Sequence, residues 1–425
     1  MISDPGAAAD GSRSSGYGAT SRGRGVALRL LKMVALTVYS LAFAEAFIRV
    51  FSPQALVPRY VTGTAWGIRG NIPNARYWHQ TPEVKVQYRI NSQGMRADRE
   101  YPFQKPAGTC RIAVFGDSFL VGYELDLKDT FTTQLEQRLR AQGVRAEILN
   151  FSVSGFGTAE MLRAYEKFGR KFDPDLVLFE WHSTDPDDNV RSGLYRLDDG
   201  KIKVDRSQYL PGIRTQDSLM KFRLYRIIAD NSHLYAFIRE RVAGSVKRLL
   251  LTRRRALHGA TTTAPGESAA DNQGSSPARN WSSPDIKLSA ALLIHAQHMV
   301  IAEHRDFYVV EIPNRTSRTQ FRSTVETLPP DTRERLKIIS PLAAFVRAAR
   351  PDLKLYYEQG HGHLTPTGAR ILTEEALAAI EGSPQLARCA SLSGEGPPQP
   401  SGMDLARHKQ AWLRGSDAPG HRGSQ

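Results

Sequence analysis

Apolar and polar positions follow three different patterns along this chain. Residues 33–44 carry no charge, and the apolar run continues to residue 50 with only Glu45 and Arg49 inside it. A helix that crosses a bilayer needs about 20 predominantly apolar residues, so 33–51 reads as a transmembrane signal anchor. Glu45 and Arg49 are spaced i, i+4 and offset one another near the far interface. Arg22, Arg24, Arg29 and Lys32 precede the run, and basic residues there favour keeping that end in the cytoplasm. Ala42-Phe43-Ala44 also fits the small-x-small pattern of a signal-peptidase site, which leaves a cleaved signal peptide as the other reading. Either way the rest of the chain is expected outside the cytoplasm.

The second pattern has period two. Residues 84–90 alternate, and Asn91-Ser92-Gln93-Gly94 supplies turn formers after them, which predicts a short β layer. The third pattern begins at Arg111, where short apolar runs alternate with helical spacing. Strands are expected over 112–115, 146–151 and 175–180, with helices over 130–142 and 158–172 between them. Such βαβαβ alternation predicts a parallel sheet covered on both faces, an α/β fold with three α/β/α layers and a mostly parallel central sheet.

Further along, 194–204 reads as a hairpin around Asp198-Asp199-Gly200. Residues 219–255 are helical and rich in Arg and Lys, which fits a solvated face or a contact with a membrane surface or polyanion. Residues 258–284 have no apolar period and read as a surface insertion. The sheet pattern resumes with a helix over 287–304 and a strand over 307–312, and a final helix starts at Pro366 with Thr365 as its N-cap. The expected organisation is a basic disordered arm (1–32), the anchor (33–51), an extended linker with a short β layer (52–105), an α/β domain (106–384) and a basic disordered tail (385–425).

Composition narrows the function classes. Hydrophobic residues make up 41% of the chain, enough for a substantial core. The net charge of +14 is spread over the arm, the middle segment and the tail, with no zinc-finger spacing or RNA-binding aromatic motif beside it. Nucleic acid is therefore not an expected partner, whereas anionic lipid or an acidic polymer is compatible. Two cysteines, Cys110 and Cys389, exclude a disulfide scaffold and a multi-cysteine metal site. They can pair in an oxidising compartment, though nothing in the sequence requires it.

Candidate chemistry begins at Gly116-Asp117-Ser118, where an apolar strand breaks off. In an open parallel sheet ligands bind at the carboxyl ends of the strands, which gives the Ser118 hydroxyl a functional position. A serine needs a base to become a nucleophile. The best candidate is His363, in Gly360-His361-Gly362-His363-Leu364-Thr365-Pro366 just ahead of the last helix. An ester carbonyl that becomes tetrahedral needs N–H donors for its oxyanion. Gly155, in the second strand-to-helix turn, and Ser118 itself can supply backbone N–H groups. Asp117 is expected to stabilise its turn.

These pieces in this order resemble the membrane-anchored SGNH/GDSL-type hydrolases over about residues 84–380. The segments Glu45 to Arg49 and Asn91 to Arg96 are similar to exported members as well. The resemblance implies a flavodoxin-like strand order, Ser118 as nucleophile, Gly155 as second-block oxyanion donor, His363 as general base, and no metal or organic cofactor. Two blocks differ from the family pattern. Its Gly-Asn-Asp aligns with Ser183-Thr184-Asp185, leaving the Thr184 hydroxyl as candidate donor and Asn189 as the alternative. Its aspartate ahead of the histidine is also absent, so His361 completes the predicted relay, with Glu358 or Asp185 as substitutes. The activity so implied is cleavage of a carboxylic ester through an acyl-Ser118 intermediate, on an O-acylated glycan or a lipid-linked precursor. An O-acyltransferase using the same serine, or a non-catalytic glycan-binding or assembly protein, are the other readings.

Overall fold

A computed structural model describes residues 18–257 and 281–392. The chain divides into two units after Pro53. The first contains helix α1 (Gly18–Phe51), which begins inside the arm expected to lack structure. Its stretch Gly25–Phe51, 27 residues, is long and apolar enough to cross a membrane. Arg49 and Glu45 pair at 2.9 Å one turn apart.

The second unit opens with two small antiparallel ribbons. Strands β1 (Val61–Gly63) and β2 (Arg69–Asn71) form one; β3 (Arg76–Gln80) and β4 (Lys85–Arg89) form the other. Tyr88 and Val86 of β4 are buried with Val57, Ile90, Val121 and Tyr123 in a small apolar cluster. The expected β layer is thus present, and it packs on the segment that follows Ser118.

The main layer alternates strands and helices: β5 (Cys110–Phe115), α2 (Phe131–Ala141), β6 (Ala146–Asn150), α3 (Thr158–Lys167), β7 (Leu176–Trp181) and α4 (Asp185–Ser192). Next come the antiparallel pair β8 (Tyr195–Asp198) and β9 (Lys201–Val204), then α5 (Ile213–Leu219), α6 (Arg223–Asn231) and α7 (His233–Leu257). The chain continues through α8 (Pro284–Ala302), β10 (Asp306–Glu311), the pair β11 (Asn314–Ser317) and β12 (Gln320–Arg322), α9 (Pro330–Arg335), β13 (Ile338–Ile339), α10 (Leu342–Ala348), α11 (Pro366–Glu381) and α12 (Pro384–Leu392).

Five strands pair in the order β6-β5-β7-β10-β13, and every pairing is parallel. Counted along the chain this is 2-1-3-4-5, the flavodoxin-like order, with its switch point between β5 and β7. Because side chains alternate across a strand, β5 feeds two cores. Ala113 and Phe115 join Val177, Phe179, Phe307 and Val309 under α3 and α8. Ile112 and Val114 join Leu176, Leu178, Tyr308 and Val310 under α2, α10 and α11. That gives the three layers. Helix starts follow local chemistry: Thr130 accepts from Thr133 N at 3.3 Å, Ser283 from Ile286 N at 3.4 Å, and Thr365 from Gly368 N at 3.2 Å.

The tail expected to be disordered from residue 385 instead continues as α12 to Leu392. A disulfide from Cys389 to Cys110, across 279 positions, fastens it to the first residue of β5, and Leu386 is buried in the second core. The insertion expected over 258–284 lies outside the described residues as far as 280, while Pro284 already starts α8. The rest of the predicted tail and the first 17 residues of the arm also lie outside the described residues.

Candidate active site

Strand β5 ends at Phe115, and Gly116 makes the close approach that the next turn needs. A Cβ on Gly116 would overlap the Glu180 carboxylate and come within 2.9 Å of Leu120 Cβ. Glu180, wholly buried on β7, accepts from Asp117 N at 2.8 Å and from Leu120 N at 3.3 Å through one oxygen. Burial, with Asp117 alongside, pushes this carboxyl well above the usual carboxylate range. Asp117 accepts from Phe119 N at 2.7 Å and so closes its own turn. The turn is joined to the second strand-to-helix connection by Val153 N donating to Gly116 O at 3.0 Å. Ser118 leaves this framework half-buried at the carboxyl end of the sheet, at the switch point.

No helix starts directly after Ser118. Residues 118–125 run as consecutive turns, and Gly122 adopts φ +72°, a region that only glycine enters without strain. Arg96, buried at the end of the Asn91-to-Arg96 segment, donates to the carbonyls of Val121 (2.8 Å), Gly122 and Leu125, while its guanidinium lies 3.9 Å from the centre of the Tyr88 ring. The N-terminal β layer therefore clamps the turn, and the turn aims Glu124 inward, fully buried.

Glu124 is the site residue that the sequence reasoning missed. Its Oε2 lies 3.0 Å from His363 Nδ1 and accepts from His363 N at 3.0 Å; its Oε1 accepts from His361 N at 3.3 Å. His363 Nε2 lies 2.7 Å from Ser118 Oγ. A serine, an imidazole and a carboxylate thus stand in line. Burial raises the Glu124 carboxyl, but the hydrogen bonds and charge of His363 outweigh it and hold the group at about 2. The signal in the sequence was a lone acid in the otherwise uncharged run 119–125, and an acid among buried residues calls for a partner.

His361 does not reach Nδ1 of His363. Its backbone N–H serves Glu124, while its ring meets Tyr123 edge-on at 5.1 Å, and burial keeps its imidazole below the usual range. Glu358 pairs with Arg318 and Lys354, its Oε2 2.6 Å from Arg318 Nη2. Asp185 accepts from His182 N at 2.7 Å and Thr158 Oγ1 at 3.2 Å. The family position for the acid, and both substitutes considered for it, are thus engaged elsewhere, and the carboxylate comes from the segment that follows the serine.

The candidate oxyanion donors divide. Gly155 takes φ +78°, and Arg69 holds its carbonyl at 2.5 Å while pairing with Glu160 at 3.0 Å. Among the described residues, the N–H groups of Ser118 and Gly155 have no protein acceptor. Thr184 is exposed, and its hydroxyl lies 3.0 Å from His182 Nδ1. The His182 ring lies tilted against Phe119, with centroids 4.9 Å apart, and Phe119 is tilted against His363 at 4.8 Å. Asn189, the alternative to Thr184, is buried as a staple: it accepts from Ala159 N at 2.8 Å and donates to Ser289 Oγ at 2.9 Å.

No family model matches this chain, and no curated protein does. Solved structures do match. That of TesA aligns with 65% of this chain and 99% of its own length at 13% identity, with a TM-score of 0.33. The lipase/acylhydrolase from Enterococcus faecalis aligns with 64% of this chain and 96% of its own at 13% identity and a TM-score of 0.33. AlinE4, an SGNH-hydrolase family esterase, is 34% identical over 18% of this chain and 42% of its own, with a TM-score of 0.17.

Proposed function

We propose that this protein is an SGNH/GDSL-type serine ester hydrolase, held to a membrane by α1 with its second unit outside the cytoplasm. The observation that carries the reading is the line from Ser118 Oγ to His363 Nε2 (2.7 Å) and from His363 Nδ1 to Glu124 Oε2 (3.0 Å) at a sheet switch point. His363 takes the Ser118 proton as Oγ attacks the ester carbonyl, and the resulting imidazolium is stabilised by the Glu124 carboxylate. The N–H groups of Ser118 and Gly155 receive the oxyanion. His363 then returns the proton to the leaving alcohol, and a water, deprotonated the same way, releases the acid from Ser118. The non-catalytic reading drew on the two blocks that differ from the family pattern; for the absent aspartate, Glu124 supplies the same charge from another position.

Export is supported by two features: a 27-residue apolar stretch preceded by basic residues, and a disulfide between Cys110 and Cys389, a bond that persists in oxidising compartments. Acylated glycans and lipid-linked esters are the substrate classes such a location offers. A serine-directed fluorophosphonate tests the reading. Labelling that maps to Ser118 and disappears in His363→Ala is expected; an intact, folded protein that takes no label refutes it.

A further inference from the structure

The α6–α7 hairpin takes no part in the relay, yet it carries an extended apolar surface exposed to solvent. On α7, Ile238, Val242, Val246 and Leu249 are 48–68% exposed, and their i, i+4, i+8, i+11 spacing puts them on one stripe of the helix. On α6, Leu224, Ile227 and Ile228 are 42–70% exposed at i, i+3, i+4, just after the exposed Phe222. The helices are joined by their tyrosines: Tyr225 and Tyr235 share a hydrogen bond of 2.5 Å with rings edge-on at 5.7 Å. Arg223 borders the α6 stripe and Arg241 and Arg248 border the α7 stripe by helical phase, all three exposed. An apolar face rimmed with arginine suits the headgroup region of an anionic bilayer.

Chain connectivity points to the same occupant. His233 Nδ1, at the first residue of α7, accepts from Gln54 N at 2.9 Å. Gln54 follows Phe51, the end of the apolar stretch of α1, by three peptide units, which span at most about 10 Å. The first residue of α7 is thus bonded to a residue that lies, along the chain, three positions beyond the apolar stretch.

We propose that the α6–α7 hairpin is a second membrane contact: its apolar residues enter the headgroup region of an anionic bilayer and Arg223, Arg241 and Arg248 meet lipid phosphates. The inference rests on the reading of α1 as a membrane span.

The test uses the full chain in vesicles, with one introduced cysteine per variant carrying an environment-sensitive fluorophore; the native cysteines are bonded to each other. Leu36→Cys reports on α1, Val242→Cys and Leu224→Cys on the hairpin, and Val346→Cys on an exposed residue of α10. In phosphatidylcholine vesicles containing phosphatidylglycerol, quenching by a spin-labelled lipid should be about fivefold greater at Val242→Cys and Leu224→Cys than at Val346→Cys. That excess should be lost when Arg223, Arg241 and Arg248 are all replaced by Glu. Quenching at Leu36→Cys with none beyond the Val346→Cys level on the hairpin overturns the proposal and leaves α1 as a span. Absence of quenching at Leu36→Cys overturns the span reading and the proposal together. Shielding of Val242→Cys that ignores lipid composition and accompanies cross-links between copies assigns the face to a second copy of the chain, and also overturns it.

Discussion

Replacing Glu124 by Gln removes one charge while keeping the shape of the site. Three donors converge on this carboxylate: His363 Nδ1–H and His363 N at 3.0 Å on one oxygen, and His361 N at 3.3 Å on the other. A glutamine has one acceptor oxygen, so its NH₂ must face at least one N–H in a fully buried place. If the amide oxygen keeps the two His363 bonds, the imidazole stays in register but loses the opposing charge. At 3.0 Å and an effective dielectric of about 20 that charge interacts with an imidazolium by roughly 5.5 kcal/mol, which corresponds to a factor of about 10⁴ in rate. The same factor of about 10⁴ is seen when a triad carboxylate becomes its amide. The assay is kcat/KM on an activated acetyl ester beside the rate of fluorophosphonate labelling, with Tm as the check on folding. Glu124→Gln should lose about four orders of magnitude in both, whereas His361→Asp, which places a second carboxylate beside the first, should bring no gain. A folded Glu124→Gln within about tenfold of wild type, when Ser118→Ala is inactive, would refute the assignment of Glu124 as the relay acid.

Three further outcomes follow from the same geometry. Because the fold raises the Glu180 carboxyl above its ordinary 4.5, the unfolded chain sheds that proton first, so stability falls as pH rises from 4.5 towards the folded value. Glu180→Gln, which cannot ionise, should escape this fall, so its stability relative to wild type should rise as pH rises above 4.5 in a series of melting curves. Arg96→Met leaves the carbonyls of Val121 and Leu125 without a donor among the described residues and Gly122 with only Leu125 N–H, and both Tm and kcat should fall, the latter towards the Glu124→Gln value. Cys389→Ser releases α12 and should lower stability by about 2–4 kcal/mol in denaturant titration, with fluorophosphonate labelling retained under native conditions.

Where periodicity and capping govern, the sequence was readable. Strand β5, the helices that begin after Thr130 and Thr365, and the β8–β9 hairpin each carry their signal within about ten residues. The meeting of Ser118 with His363 was legible because each stands beside its own local mark, a broken strand and a helix cap. The bond between Glu124 and His363 was not, since it joins positions 239 apart and depends on an irregular run of turns shaped by Gly122 and Arg96. β13 was missed for a related reason: two residues, Ile338 and Ile339, are too few to show a period, and only pairing with β10 makes them a strand. The helix at 384–392 was hidden by its Pro/Gly/Ser-rich surroundings and depends on a cysteine whose partner lies at the other end of the domain.

On the proposed assignment the relay acid travels with the nucleophile, which changes how such a site is to be recognised. A search pattern that demands an aspartate shortly before the histidine discards this chain, although a serine, an imidazole and a carboxylate are all aligned in it. The informative pattern spans a seven-residue window, Ser118 to Glu124, with an arginine some twenty residues upstream that can hold the carbonyls of that window.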